Sequence, residues 1–217
     1  AWMAAEAGLS ERDAGLFRNS SETLEKRYKA WKTGASLCDM AVAARQAGHV
    51  VRSVRTLGMP HATRKSGVDV NETVRDALAL MQSPLRQVQV ECSLGDLPPV
   101  PASAGELVQI WTNLIRNACE SIINARMPDG EVGITSAAVS GGVRVCVLDN
   151  GPGVPEDILP FIFQPNVTTK VGGLAFGLGL GLTIVLQLVQ GYGGTVDVES
   201  RPGYTSFCVY LPLESDL

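Results

Sequence analysis

The sequence has few charged and few aromatic side chains, and each shortage disfavours a class of function. Charged residues make up 18% and aromatic residues 6% of the 217 positions, and 18 basic against 22 acidic side chains give a formal net charge of −4. This composition disfavours a strongly basic nucleic-acid binder and an aromatic base-stacking platform. Hydrophobic residues at 45% disfavour intrinsic disorder, and the length suits one domain or two modest ones with a real core.

The sequence also lacks a paired-cysteine motif, a signal peptide and an unbroken apolar span. No two cysteines form a C-x-x-C pair, so we expect buried, reduced thiols of a cytoplasmic protein. The cysteines are Cys38, Cys92, Cys119, Cys146 and Cys208. The chain begins at Ala1 without a charged-then-apolar leader, so we expect a piece of a longer protein, whose own membrane attachment stays open. Glycines, Gln187 and Gln190 interrupt the uncharged stretch at 171–196, which disfavours a transmembrane span.

The chain is predicted to divide near residue 66. Residues 10–57 contain no proline and carry apolar residues three and four apart, which predicts a long helical segment of bundle or coiled-coil type over 1–66. Pro60 ends the long helix of that segment, because proline disfavours helical geometry in the residue before it, and a linker then reaches Gly67. Over 67–217, helices mixed with mostly antiparallel strands predict an α+β fold, a two-layer α/β sandwich of one sheet against helices.

Local signals place the elements of this second part. Asp69 with Glu72, and Ser103 with Glu106, have the spacing of capping boxes and predict helices that reach about Met81 and Ala125. An apolar run predicts a buried helix at 178–189. Alternating apolar residues predict strands at 88–94, 131–139, 143–149, 195–200 and 205–213, the second and third joined as a hairpin.

Two asparagines on the long helix form the first candidate site. Asn113 and Asn117 are four residues apart and therefore share a helix face. Their amide oxygens can serve a hard cation such as Mg²⁺, which commonly bridges to substrate phosphates. Taken alone, such a pair is more often plain exposed surface.

A strand-end carboxylate followed by glycines forms the second candidate. Asp149 ends an apolar strand and precedes Asn150, Gly151 and Gly153. A carboxylate shielded from water needs hydrogen-bond donors, and the exocyclic amine of a purine is one candidate. The competing interpretation is a simple Asn-Gly turn.

Alternating glycines before the last predicted helix form the third candidate. Gly177, Gly179 and Gly181 leave backbone N–H groups at a helix start unobstructed, which is typical of a phosphate cradle. The pattern is neither the dinucleotide fingerprint nor the Walker loop. Simple loop flexibility is the alternative.

The order of these motifs resembles a known superfamily. The asparagine helix, the Asp149 turn, a loop with Phe161, Phe163 and Lys170, and the glycine cradle resemble the N, G1, F and G2 boxes of the GHKL ATPases and kinases. The resemblance is nearest to sensor histidine kinases of the nitrogen-regulator type and covers about residues 68–213. It implies a two-component signal-transduction enzyme that uses ATP and Mg²⁺.

The resemblance implies roles for individual residues. Asp149 would accept a hydrogen bond from the adenine amino group, Asn117 would ligate Mg²⁺ with Asn113 beside it, and Lys170 would neutralise phosphate charge. The remaining implied nucleotide contacts are Gly151, Gly153, Gly177, Gly179, Gly181 and Thr205. Residues 150–177 would form a mobile ATP lid.

The identity of Asn113 and the missing phosphoacceptor decide between reactions. Superfamily members that hydrolyse ATP typically carry a glutamate general base at this position, and an asparagine cannot accept that proton. The family's acceptor is a histidine followed by an acidic residue, whereas His49 and His61 precede Val50 and Ala62. The resemblance therefore implies transfer to a histidine outside this chain, relay to a response-regulator receiver domain, and a homodimer through the helical segment. A nucleotide-gated interaction module (pseudokinase) and an ATPase switch remain alternatives.

Two local departures from the family pattern affect the lid. Asn166 and Val167 stand where related loops often carry phenylalanines, and the Pro202–Thr205 turn is one residue short of the usual glycine-rich turn.

Overall fold

The computed structural model describes residues 65–165, 167 and 180–214. All of them lie in the second of the two units into which the chain divides, Ser53–Leu217. The helical segment predicted over 1–66 lies outside the described residues except for its last two, and the boundary near residue 66 stays a prediction.

Seven strands and four α-helices follow one another in the described part of the chain. The strands are β1 (Lys65–Val68), β2 (Gln89–Leu94), β3 (Val100–Ala102), β4 (Glu131–Val139), β5 (Gly142–Asp149), β6 (Thr195–Arg201) and β7 (Tyr204–Pro212). The helices are α1 (Val70–Leu80), α2 (Gln82–Leu85), α3 (Ala104–Asn124) and α4 (Gly181–Gly191), with a 3₁₀ turn at Leu159–Phe161.

The main sheet has the strand order β2-β4-β5-β7-β6. Its pairs are antiparallel except β2 with β4, which is parallel, and β1 pairs separately with β3. Alternate residues of β5 and β7 face a shared apolar core with α1, α3 and α4. The two-layer α/β sandwich expected from the sequence is therefore confirmed.

Helix α1 begins as its capping signal predicts. The Asp69 carboxylate accepts hydrogen bonds from the backbone N–H groups of Asn71 (2.8 Å) and Glu72 (3.2 Å). These bonds satisfy two donors that the first turn of a helix leaves unpaired. Farther along the core, the Trp111 indole of α3 donates to Thr73 Oγ1 at 2.8 Å, which joins α3 to α1.

Helix α3 occupies the predicted position, but its predicted capping box does not form. Ser103 is the N-cap residue, yet its side chain makes no capping hydrogen bond. The Tyr192 hydroxyl instead accepts the Ser103 N–H at 3.0 Å and donates to the Glu106 carboxylate. A residue distant in sequence has replaced the local cap.

The expectation of buried, reduced thiols is wrong for three of the four described cysteines. Cys146 and Cys208 are direct cross-strand partners of β5 and β7 and form a disulfide, and Cys92 is an exposed thiol. Cys119 is buried and free, as expected. Cys38 lies outside the described residues.

Candidate nucleotide site

The site is built around Asp149, the last residue of β5. Its side chain is only 7% exposed, and its cross-strand partner on β7 is Thr205, 3% exposed. Asp149 Oδ1 accepts the backbone N–H of Gly151 at 2.9 Å. A carboxylate has room for about four hydrogen bonds, so most of its acceptor capacity is left for another group.

Burial raises the pKa of Asp149 from 3.8 to about 6, while the Gly151 N–H bond acts in the opposite direction. The carboxylate is still mainly ionised at neutral pH. An ionised, desolvated acceptor favours a ligand that brings N–H donors.

The turn after Asp149 is held by the neighbouring hairpin. Gly203 N–H donates to the Gly151 carbonyl at 2.9 Å, and a Cβ on Gly153 (φ +82°) would stand 2.7 Å from the Arg201 backbone. Gly153 is therefore required by close backbone packing. Pro202 and Gly203 (φ +80°) close the β6–β7 hairpin between the paired residues Arg201 and Tyr204, which accounts for the short turn noted in the sequence.

Gly151 has no space for a side chain. A Cβ there would lie 2.5 Å from Asp149 Oδ1 and 2.5 Å from Ser121 Oγ. The glycine allows the end of β5 to approach α3 closely. The sequence left open a simple Asn-Gly turn at this point. In the structure the turn is packed tightly between the end of β5 and helix α3.

Polar residues along α3 connect this junction with the start of α4. Asn113, Asn117 and Ser121 recur every four residues and so follow one helix face. Asn113 is 4% exposed and Asn117 is half-buried, so the interpretation of plain surface asparagines is wrong for Asn113. A Cβ on Gly181 would stand 3.6 Å from Asn113 Oδ1. Asn113 therefore adjoins the N-terminus of α4, whereas Ser121 adjoins Asp149.

Helix α4 presents its N-terminus at the Asn113 end of this row. It begins at Gly181 and runs for 11 residues, and its N-cap residue, Leu180, makes no side-chain capping bond. The first N–H groups of such a helix, together with its dipole, favour an anion. Three of the predicted site residues, Lys170, Gly177 and Gly179, lie outside the described residues, so Gly181 alone represents the glycine cradle here.

The segment between the Asp149 turn and the start of α4 is held against α4 and β7 at Phe163. Thr183 Oγ1 donates to the Phe163 carbonyl at 2.9 Å, and the Phe163 ring meets Phe207 edge-to-face with centroids 6.4 Å apart. Phe161, in contrast, is exposed. Of the predicted lid, the described residues 150–165 are thus anchored by Phe163.

Sequence reasoning missed two serines at the site. Ser200 Oγ accepts the Val154 N–H at 2.8 Å and lies 3.1 Å from Thr205 Oγ1, which links the turn to β6 and β7. No local signal marks Ser200. Ser121, in contrast, continues the four-residue spacing of Asn113 and Asn117, and that spacing was available in the sequence.

The described part of the chain contains neither a cluster of metal-binding side chains nor a membrane-spanning helix. Within residues 65–165, 167 and 180–214, no three His, Cys, Asp or Glu side chains are grouped so that they hold a metal ion. Over the same residues, no helix has both the length and the apolar character needed to cross a bilayer. Next to the start of α4, the Asn113 side chain carries an amide oxygen, a ligand type that hard cations accept.

The described residues fit a nucleotide in their chemistry. A buried acceptor lies at the end of β5, and a helix N-terminus suited to anions lies at the other end of the polar row on α3. Asn113 and Ser121 are eight residues apart, which is about 12 Å along a helix axis. A base with donor groups and a polyphosphate can therefore be accommodated at opposite ends of one row.

Comparisons with known proteins identify the family of this chain. Residues 102–215 match the family described as histidine kinase-, DNA gyrase B-, and HSP90-like ATPase. The sensory histidine kinase/phosphatase NtrB of Rhizobium meliloti (strain 1021) is 40% identical over 135 residues, 56% of this chain and 34% of its own length.

Solved structures give the same result for the fold. The catalytic domain of histidine kinase ThkA is 29% identical, with a TM-score of 0.59 over 70% of this chain and 99% of its own. Full-length ShkA in complex with AMPPNP is also 29% identical, with a TM-score of 0.64 over 80% of this chain and 38% of its own. The chain spans about a third of the length of curated relatives such as NtrB.

Proposed function

Because this chain belongs to the family of histidine kinase-, DNA gyrase B- and HSP90-like ATPases and carries its ATP-binding domain, we propose that it is the catalytic region of a two-component sensor histidine kinase. It transfers the γ-phosphoryl group of ATP to a histidine outside this chain, for relay to a response-regulator receiver domain. Relatives named as sensor histidine kinases, NtrB and ThkA among them, support this assignment.

The arrangement of Asp149, α3 and α4 is the observation that carries the proposal. Asp149 binds the adenine amino group, and Thr205, Gly151 and Gly153 keep it in place. At the other end, Gly181 begins the helix that faces the phosphates. Gly177, Gly179 and Gly181 surround the phosphates with backbone N–H groups, and Lys170 neutralises their charge.

Magnesium is the cation that this proposal requires. Asn117, with Asn113 beside it, would hold the cation through amide oxygens, and the cation would offset the charge of the nucleotide phosphates. The bound nucleotide supplies the reactive phosphorus. The protein aligns it and stabilises charge, which is the main demand of phosphoryl transfer.

Asn113 favours transfer over hydrolysis. A general base for water must accept a proton near neutral pH, and an amide does not. Asn113 is buried against the start of α4, the helix end that faces the phosphates in this proposal. Hydrolysis therefore lacks its proton acceptor at this position.

The wider assignment follows from the same proposal. The kinase acts in the cytoplasm as a homodimer through the helical segment at 1–66, and its substrates are ATP and a receiver domain. NtrB is named as both kinase and phosphatase.

Nucleotide binding is the first test. Isothermal titration with ATP and Mg²⁺ is expected to show one site, which Asp149→Asn abolishes and Asp129→Asn, at an exposed carboxylate, preserves. Retained affinity in Asp149→Asn would refute the adenine assignment.

Phosphoryl transfer is the second test. The longer parent protein, incubated with γ-labelled ATP and Mg²⁺, is expected to gain acid-labile label on a histidine, and Asn117→Ala is expected to lose it. Label on His49 of the present chain would instead identify an acceptor within it. Steady phosphate release without label would favour the ATPase switch, and binding without either reaction would favour the interaction module.

A further inference from the structure

The oxygens of Ser121 and Asp149 converge on one point beside Gly151. Each lies 2.5 Å from the position that a Cβ on Gly151 would occupy, so the two oxygens are within about 5 Å of each other. Ser121 is half-buried on α3, and Asp149 ends β5. Two different secondary-structure elements thus bring their polar groups to the base end of the proposed site.

Ser121 does not use its hydroxyl within its own helix. Serine and threonine in helices commonly donate to the carbonyl four residues earlier, as Thr112 does to Val108 at 2.7 Å in this same helix. Among the described residues, Ser121 Oγ makes no hydrogen bond of that kind. Its donor is therefore available to a molecule bound beside Asp149.

The two groups differ in what they offer. An ionised carboxylate only accepts hydrogen bonds, whereas a hydroxyl also donates one. Together they present an acceptor beside a donor. An adenine edge presents the complement, because its amino donor neighbours a ring nitrogen that accepts. Guanine presents a carbonyl oxygen beside an N–H. The hydroxyl could accept that N–H, but the carbonyl oxygen would then lie against the carboxylate, which repels it, so guanine is not held in this position.

We propose that Ser121 is a base-specificity residue, whose hydroxyl donates to the ring nitrogen next to the adenine amino group and, with Asp149, selects adenine over guanine nucleotides. This inference rests on the proposed nucleotide site. It adds a second hydrogen bond that recognises the base to the one made by Asp149. When a binding site forms a hydrogen bond to its substrate, it strongly rejects an analogue that lacks the matching group, because the polar group of the site is then left unpaired.

Affinities of the intact chain for ATP and GTP, measured by titration with Mg²⁺, test the proposal. Ser121→Ala is expected to weaken ATP about 10-fold, the loss of one hydrogen bond, and to leave GTP unchanged. Thr112→Val, which removes a hydroxyl from the same helix, is the matched control and is expected to keep the ATP affinity. Equal losses for ATP and GTP, or an unchanged ATP affinity in Ser121→Ala, would overturn the proposal.

Base analogues make the test specific to one atom pair. In 1-deaza-ATP the ring nitrogen beside the amino-bearing carbon is a C–H, so the wild-type chain is expected to lose the same factor of about 10. Ser121→Ala is then expected to bind ATP and 1-deaza-ATP equally. A further loss for 1-deaza-ATP in Ser121→Ala would overturn the direct contact. If the folded wild-type chain bound neither ATP nor GTP, the proposed function would fail with it, whereas the preceding outcomes refute the Ser121 contact alone.

Discussion

The buried carboxylate at the end of β5 is predicted to cost folding stability, and Asp149→Asn tests this directly. Burial raises the pKa of Asp149 from 3.8 to about 6, so the native state holds a proton that the unfolded state has already released. Native protein therefore binds more protons between about pH 4 and pH 6, and the free energy of unfolding falls as pH rises through that window. Above about pH 6 the full destabilisation from the buried, ionised carboxylate is present.

The size of the effect follows from the shift. About two pKa units correspond to about 3 kcal/mol, and residual solvent screening reduces the expected value to about 2 kcal/mol. Asn in place of Asp149 retains an oxygen for the Gly151 N–H and carries no charge. We therefore expect Asp149→Asn to be more stable than the wild type by about 2 kcal/mol at pH 8 and by little at pH 4, while losing ATP binding.

Urea unfolding across pH 4–8 measures this difference. Trp111 is fully buried in α3, and with Trp2 and Trp31 replaced by Phe its fluorescence reports on this unit alone. Asp129→Asn, at an exposed position, controls for net charge. A stability difference that did not change with pH, or an Asp149→Asn protein less stable than wild type at pH 8, would refute the reasoning.

Three further predictions concern positions around the site and core. Gly151→Ala is expected to lower stability by about 1–3 kcal/mol and to weaken ATP binding more than 10-fold, because its Cβ would overlap two oxygens at 2.5 Å. Thermal melting measures the stability, and titration measures the ATP affinity. A normal ATP affinity would contradict the packing. In non-reduced Cys38→Ser protein at pH 8, a thiol reagent is expected to label the exposed Cys92 promptly and Cys119 only after denaturation, because burial raises the pKa of Cys119 to about 11. Prompt labelling of both thiols would be inconsistent with that burial. Tyr192→Phe is expected to lose about 1–2 kcal/mol in urea unfolding, since two hydrogen bonds disappear; unchanged stability would show that they contribute nothing.

Most of the elements were predictable because their signals are local, whereas the short strands β1 and β3 and helix α2 were not predicted. The Asp69 cap starts α1 where the spacing predicts, and Gly141 (φ +73°) turns the β4–β5 hairpin within one residue of the expected position. The last helix begins at Gly181, later than predicted, and ends at Gly191. A capping residue or a left-handed glycine acts through its immediate neighbours, so the sequence carries the whole cause.

The contacts that make the site were not predictable in the same way. Asp149 and Thr205 are paired because β5 neighbours β7 in the sheet, although β6 lies between them in sequence. The same register places Cys146 opposite Cys208, which is why an expectation based on cysteine spacing was wrong. Spacing along the chain contains no information on the register of strands that are not sequential neighbours.

Tyr192 shows how a distant contact replaced a local signal and also positions the site. Its side chain is 4% exposed, and its hydroxyl bonds both residues of the Ser103 and Glu106 pair that would otherwise have capped α3 together. Tyr192 directly follows α4, so this bond fixes the end of α4 to the start of α3. Ten residues farther along α3, Asn113 lies against Gly181, the start of α4. The two helices are therefore antiparallel over about 15 Å. A shift of one along the other would separate the α4 N-terminus from the asparagines, and the buried phenol, by tying their far ends together, opposes that shift.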